Sequence, residues 1–129
     1  MKLLRVGNKG KEKPAVLDLN NKIRDISSII KDLTPDNLTF STFNKIKSID
    51  LEKLPKLSNT ERIGACISKP GKFVAIGLNY SDHAEETGAK VPTEPIVFMK
   101  ATSCIVGPND NVVIPKNSKK TDWEVEIAF

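Results

Sequence analysis

The sequence predicts an α+β fold, mainly β, in two parts, and three observations carry that prediction. Short aliphatic runs recur along the chain, separated by Pro, Gly and Asn, which is the pattern of brief strands joined by turns. One pair of runs flanks Asn20-Asn21, and Asn tolerates the positive φ that a tight hairpin turn needs. A single stretch after Thr34-Pro35 carries helical rather than strand spacing.

Taken in order, Leu3-Leu-Arg-Val6 reads as a first strand, followed by a Gly- and Lys-rich loop from Gly7 to Lys13. Ala15-Val-Leu-Asp-Leu19 and Lys22-Ile-Arg-Asp-Ile26 read as the two arms of the hairpin. Thr34 suits an N-cap and Pro35 the first helical position, so a helix is expected over residues 35–50. Phe43, Ile46 and Ile49 recur every three residues and mark its buried face. Residues 55–71, with Pro55, Ser58-Asn59, Gly64 and Pro70-Gly71, read as a connection. The expected division is a small N-terminal β-rich module over residues 1–68 and the start of a second domain over 69–129. Strands are expected there at Phe73-Val-Ala-Ile-Gly77, Ile96-Val-Phe-Met-Lys100, Val112-Val-Ile114 and Glu124-Val-Glu-Ile127.

Composition narrows the function classes. Among 129 residues, 39% are hydrophobic and 28% charged, an ordinary globular balance that can bury a core. The net charge is only +4, and the lysines are scattered. The densest basic run, Lys116-Asn-Ser-Lys-Lys120, has no aromatic inside it, which argues against a nucleic-acid partner. No stretch reaches the length of a membrane span, and the opening apolar run is too short for a secretion signal. Cys66 and Cys104 sit beside aliphatic residues without metal or redox spacing and read as buried free thiols in a reduced, cytoplasmic compartment.

Three pieces can carry chemistry. In Thr121-Asp-Trp-Glu-Val-Glu-Ile-Ala-Phe129, strand alternation turns Glu124 and Glu126 to one face. Two adjacent carboxylates repel unless a cation, a proton or water relieves them, and a hard divalent ion takes such oxygens. A solvated acidic face is the plainer alternative. In Gly77-Leu-Asn-Tyr-Ser-Asp-His-Ala-Glu-Glu-Thr-Gly88, Asp82 and Glu85 have capping-box spacing for a short helix, and Gly88 suits its C-terminal cap. His83 and Glu86 then lie three apart on that helix, where a carboxylate can orient an imidazole and raise its basicity. A surface His–Glu pair is the alternative. His83 is the only histidine, so a histidine-rich metal site is excluded. Lys100, ending an apolar run, can hold an anionic substrate group or simply be a solvated strand end. Gly107-Pro-Asn-Asp110 reads as turn chemistry alone.

In series, G-L-N-Y-x-D-H-A-x-E-x-G, E-P-x-x-F-x-K, G-P-N-D and P-x-x-S-x-x-x-D-W-E-V-E closely resemble the fumarylacetoacetate hydrolase family. The likeness is strongest to its bacterial ureidoglycolate lyase and 2-keto-acid hydrolase-like branch. The opening stretch, through Glu12-Lys-Pro14 and Ile23-Arg-Asp-Ile-Ser27, resembles that branch's N-terminal module. The resemblance implies a mixed β-sandwich or β-roll catalytic domain, here incomplete. It implies Glu124 and Glu126 as ligands of Mg²⁺, Mn²⁺ or Ca²⁺ and His83 with Glu86 as a catalytic pair. It also implies a small oxo-acid substrate for C–C hydrolysis, decarboxylation or hydration, and commonly a homodimer.

One departure from the family pattern is expected to matter. The third metal ligand of the family is an aspartate some strands beyond the glutamate pair, and Asp110 and Asp122 both precede that pair. Three readings follow: an enzyme completed by a C-terminal polypeptide, a catalytically inactive remnant, or a small binding module.

Overall fold

The computed structural model describes residues 1–129. Strands β1 (Lys2–Val6), β2 (Lys13–Leu17) and β3 (Ile23–Asp25) form an antiparallel sheet in the order β1-β2-β3. Leu3 faces Val16 across the first pair and Val16 faces Arg24 across the second. The hairpin between β2 and β3 turns where expected, with Asn21 at φ 55°. Its organiser is the buried carboxylate of Asp18. Its Oδ1 accepts from the backbone N–H of Asn20 and of Lys22, both at 2.9 Å, and its Oδ2 accepts from Arg24 Nε at 2.8 Å. The Lys22 bond first, then Arg24, holds this carboxyl below its ordinary range.

Because successive side chains on a strand point to opposite faces, β2 supplies two cores. On one face Val6, Ala15 and Ile23 pack with Leu4, Leu17, Leu57 and Ile63. On the other Val16, Ile26 and Ile46 pack with Leu3, Ile29, Ile30, Leu51 and Leu54. Ile46 comes from helix α1 (Phe40–Lys47), which begins later than its sequence suggests. After Thr34-Pro35 the chain makes one turn, with Asn37 and Leu38 N–H donating to the Thr34 carbonyl, and stops. The Asn37 side chain donates to the Asp32 carbonyl instead of continuing the helix. Thr39 is the N-cap, its Oγ1 accepting from Thr42 N–H at 3.2 Å. Of the three residues expected on the buried face, Ile46 alone is fully covered, and Phe43 and Ile49 are partly so.

The segment expected as a mere connection is built into the sheet. Asp25 N–H donates to Pro55 O and Leu57 N–H to Ile23 O, along β3. Gly7 N–H donates to Arg62 O and Gly64 N–H to Arg5 O, along β1. One segment thus pairs with both outer strands and covers the edges a three-stranded sheet would leave open. Its Pro, Ser and Asn hide this role from a reading based on strand propensity.

Beyond residue 68 the structure is thinner. Strands β4 (Val74–Gly77) and β5 (Ile96–Met99) pair antiparallel, Gly77 opposite Ile96, with helix α2 (Ser81–Glu86) in the connection. The expected capping box does not form: the N-cap is Tyr80 without a side-chain bond, and Asp82 Oδ1 accepts from His83 N–H at 2.9 Å. The C-terminal end is as expected. Gly88, at φ 68°, donates to Glu85 O and Ala89 to Ala84 O, a Schellman motif. The strands expected at 112–114 and 124–127 are absent, and residues 111–129 are all exposed. A strand exists only through pairing, and β4–β5 offers these segments no bonded neighbour. The cysteines also depart from expectation: Cys66 and Cys104 are free but exposed. Cys104 lies in a short 3-10 turn, Thr102–Cys104, with no buried residue. The result is an α+β, mainly sheet structure with few helices.

Candidate functional site

Without a strand, Glu124 and Glu126 do not owe their position to sheet alternation. They are held by side chains from elsewhere. Asn79 Nδ2 donates to Glu126 Oε2 at 2.8 Å, and the Tyr80 hydroxyl donates to the carbonyl of Val125. Lys100 Nζ stands 3.5 Å from Glu124 Oε2 and 5.8 Å from the centre of the Phe98 ring. Asn79 and Tyr80 follow β4 after one intervening residue and lead into α2, and Lys100 follows β5. The β4–β5 hairpin therefore gathers the glutamate pair at the mouth of the helix that carries His83.

His83 itself is exposed. Its ring makes no hydrogen bond and no ion pair, so Glu86 does not pair with it as the three-residue spacing suggested. Both residues lie on the solvent side of a six-residue helix whose one buried side chain is Ala84. Glu124 and Glu126 present the hard oxygen donors a divalent cation takes. They do not complete a site: nowhere do three His, Cys, Asp or Glu side chains come together to hold a metal. Each carboxylate is already engaged, one by an ammonium and one by an amide.

A second polar constellation was missed by the sequence. Arg62 forks onto Asp110, Nε to Oδ1 at 2.7 Å and Nη2 to Oδ2 at 2.6 Å, and its Nη1 donates to Glu12 Oε1 at 2.9 Å. Arg5 Nη2 lies 3.5 Å from Glu12 Oε2, and its fork closes on Asp32 at 2.7 and 3.1 Å. Asp32–Arg5–Glu12–Arg62–Asp110 is thus a continuous chain of alternating charge, tying the G-P-N-D turn to the first sheet. The Arg62 fork, then the Gly107 N–H, holds the Asp110 carboxyl down at about 2. Burial pushes Glu12 and Asp32 upward, but the arginine bonds outweigh it and both end below their ordinary values. Gly107 is buried, and a Cβ there would clash with the Ile63 carbonyl. So this turn is more than punctuation. Arg62 stands 50 residues from Glu12 and 48 from Asp110 in the sequence, and spacing alone does not reveal such a pairing. A cleft of about 340 Å³ lies against these residues, lined also by Lys9, Ser68 and Thr102. A wider groove, about 600 Å³, lies between Leu17, Leu19 and Ile46, and none of His83, Glu86, Lys100, Glu124 and Glu126 lines it.

The family described as "Fumarylacetoacetate (FAA) hydrolase C-terminal" matches residues 72–129. Over this stretch the chain is similar to the fumarylacetoacetate hydrolase family. Proteins named "Putative hydrolase" from Burkholderia ambifaria and Burkholderia orbicola are each 54% identical to the chain over 128 residues. Those alignments take in 99% of this chain and 45% of each relative, so the chain spans under half their length. The fold is shared with a solved structure titled "Crystal structure of a putative HpcE protein from Mycobacterium smegmatis". That match has a TM-score of 0.70 at 24% identity and covers 90% of this chain and 41% of the other. No helix is long and apolar enough to cross a membrane.

Proposed function

We propose that this chain supplies part of the catalytic centre of a divalent-metal-dependent hydrolase or lyase acting on small oxo-acids. In this reading residues 1–68 are a supporting module and 69–129 begin the catalytic domain, in a cytoplasmic protein that can pair as a homodimer. The observation that supports it best is the placement of Glu124 and Glu126 against the Asn79-Tyr80 turn, three residues ahead of His83. Glu124 and Glu126 are the proposed ligands for Mg²⁺, Mn²⁺ or Ca²⁺. Because this chain offers two such carboxylates and no third, the remaining donor comes from sequence that the longer relatives carry beyond the matched part. The exposed His83 ring, unbonded here, is free to take or deliver a proton at a bound substrate, with Glu86 one helical turn away to orient it. Lys100 is the candidate for the substrate's carboxylate.

The test is turnover of small 2-oxo and 3-oxo acids with excess Mg²⁺ or Mn²⁺. The 129-residue chain alone is expected to show no significant activity. Co-expression with the remaining segment of the Burkholderia ambifaria relative is expected to restore it, and Glu124→Gln and His83→Ala are each expected to abolish it. Turnover by the chain alone, lost in both variants, would refute the need for a completing segment. A well-folded co-expressed pair without turnover would leave the catalytically inactive reading.

A further inference from the structure

Residues 119–129 have no backbone hydrogen bond to any other part of the chain. Their only non-local polar contacts land on three consecutive residues: Lys100 on Glu124, Tyr80 on the carbonyl of Val125, and Asn79 on Glu126. The side chains that could pack, Trp123, Val125, Ile127 and Phe129, are all largely exposed. Apolar burial therefore contributes little to holding this segment, and the tyrosine and asparagine bonds do most of it. We propose that Asn79, Tyr80 and Lys100 form a three-point clamp that orders Glu124-Val125-Glu126 before any cation is present. They are positioning residues, and the inference rests on the reading of the glutamates given above only in its second arm.

The clamp has a physical logic. Two neighbouring carboxylates repel, and an unstructured segment would let them swing apart. Tyr80 fixes the backbone between them, while an amide donor and an ammonium each occupy one carboxylate. An oriented pair costs a cation less ordering than a free one, and partners that orient ligating side chains typically change metal affinity about 10- to 100-fold.

The first arm needs no metal. In the ¹⁵N-labelled chain, heteronuclear NOE values at the Glu124, Val125 and Glu126 amides are expected to approach those of β5 and to exceed those of residues 116–120. Tyr80→Phe and Asn79→Ala are each expected to lower them to the level of residues 116–120, while the dispersion of the β1–β3 amides stays unchanged. Values already low in the unmodified chain, or unmoved in both variants, would overturn the clamp. The second arm titrates Mn²⁺ and reads water-proton relaxation. Asn79→Ala is expected to weaken binding about tenfold, and unchanged or tighter binding would overturn the positioning role. Glu124→Gln serves as the control: if it leaves Mn²⁺ binding unchanged, the metal reading of the pair fails while the NOE result still decides the clamp.

Discussion

The β1–β2–β3 sheet and the β4–β5 hairpin are both small and antiparallel, yet they are held by different forces. All but two of the 15 buried residues lie before residue 69, and the exceptions are Ala84 and Gly107. The first sheet has apolar side chains on both faces, a helix on one side, and a segment pairing along both its edges. The hairpin has neither face covered: Val74, Ile76, Val97, Phe98 and Met99 are all exposed. Hydrophobic burial thus organises residues 1–68, whereas the family-matched residues 72–129 depend on discrete polar contacts. Two sets of contacts do this work, the Arg62–Asp110 fork and the three bonds onto residues 124–126.

The largest expected effect sits in the region with a core. Ile26 is fully buried between β2 and α1, and Ile26→Ala is expected to cost about 2–5 kcal/mol in urea unfolding. Val113 is exposed, and Val113→Ala is expected to change stability by no more than about 0.5 kcal/mol. Equal effects at the two positions would break the comparison.

An intermediate effect is expected where the regions meet. Arg62→Ala leaves Glu12 and Asp110 without their shared cation, and its urea midpoint should fall between those of the two variants above. The same fork makes a pH prediction. Asp110 lies at about 2 in the folded chain against an ordinary 3.8, so folding favours its ionised form. The stability this contributes is present above about pH 4 and is lost as pH falls toward 2. Asp110→Asn should flatten that part of the stability curve, as read by circular dichroism. An unchanged acid limb would show that the fork does not couple the regions.

A small effect is also expected at Lys100. The ammonium and Glu124 are both substantially exposed at 3.5 Å, a geometry worth under about 1 kcal/mol. Lys100→Met should therefore leave the melting temperature nearly unchanged while raising mobility at Glu124. A large drop in melting temperature would mean that the second region has a cooperative core after all.

Local chemistry was legible in the residues. The turn at Asn20-Asn21, the strands flanking it, the pairing-competent runs that became β4 and β5, and Gly88 as a left-handed helix end all follow from φ preferences and periodicity. The family likeness was legible too, because it rests on the order and spacing of motifs. Tertiary structure alone decided the rest. Segment 55–64 became an edge-covering partner because β1 and β3 had backbone groups to satisfy, and its own propensities say nothing of that. Alternation at 124–127 predicted a strand, but pairing requires a neighbour and none is bonded there, so long-range side-chain contacts position the glutamates instead. Arg62 and Asp110 are 48 residues apart, and only the folded chain brings a guanidinium and a carboxylate within 2.6 Å. Sequence specifies what each short segment can do; which of those options is realised depends on the partner the fold places beside it.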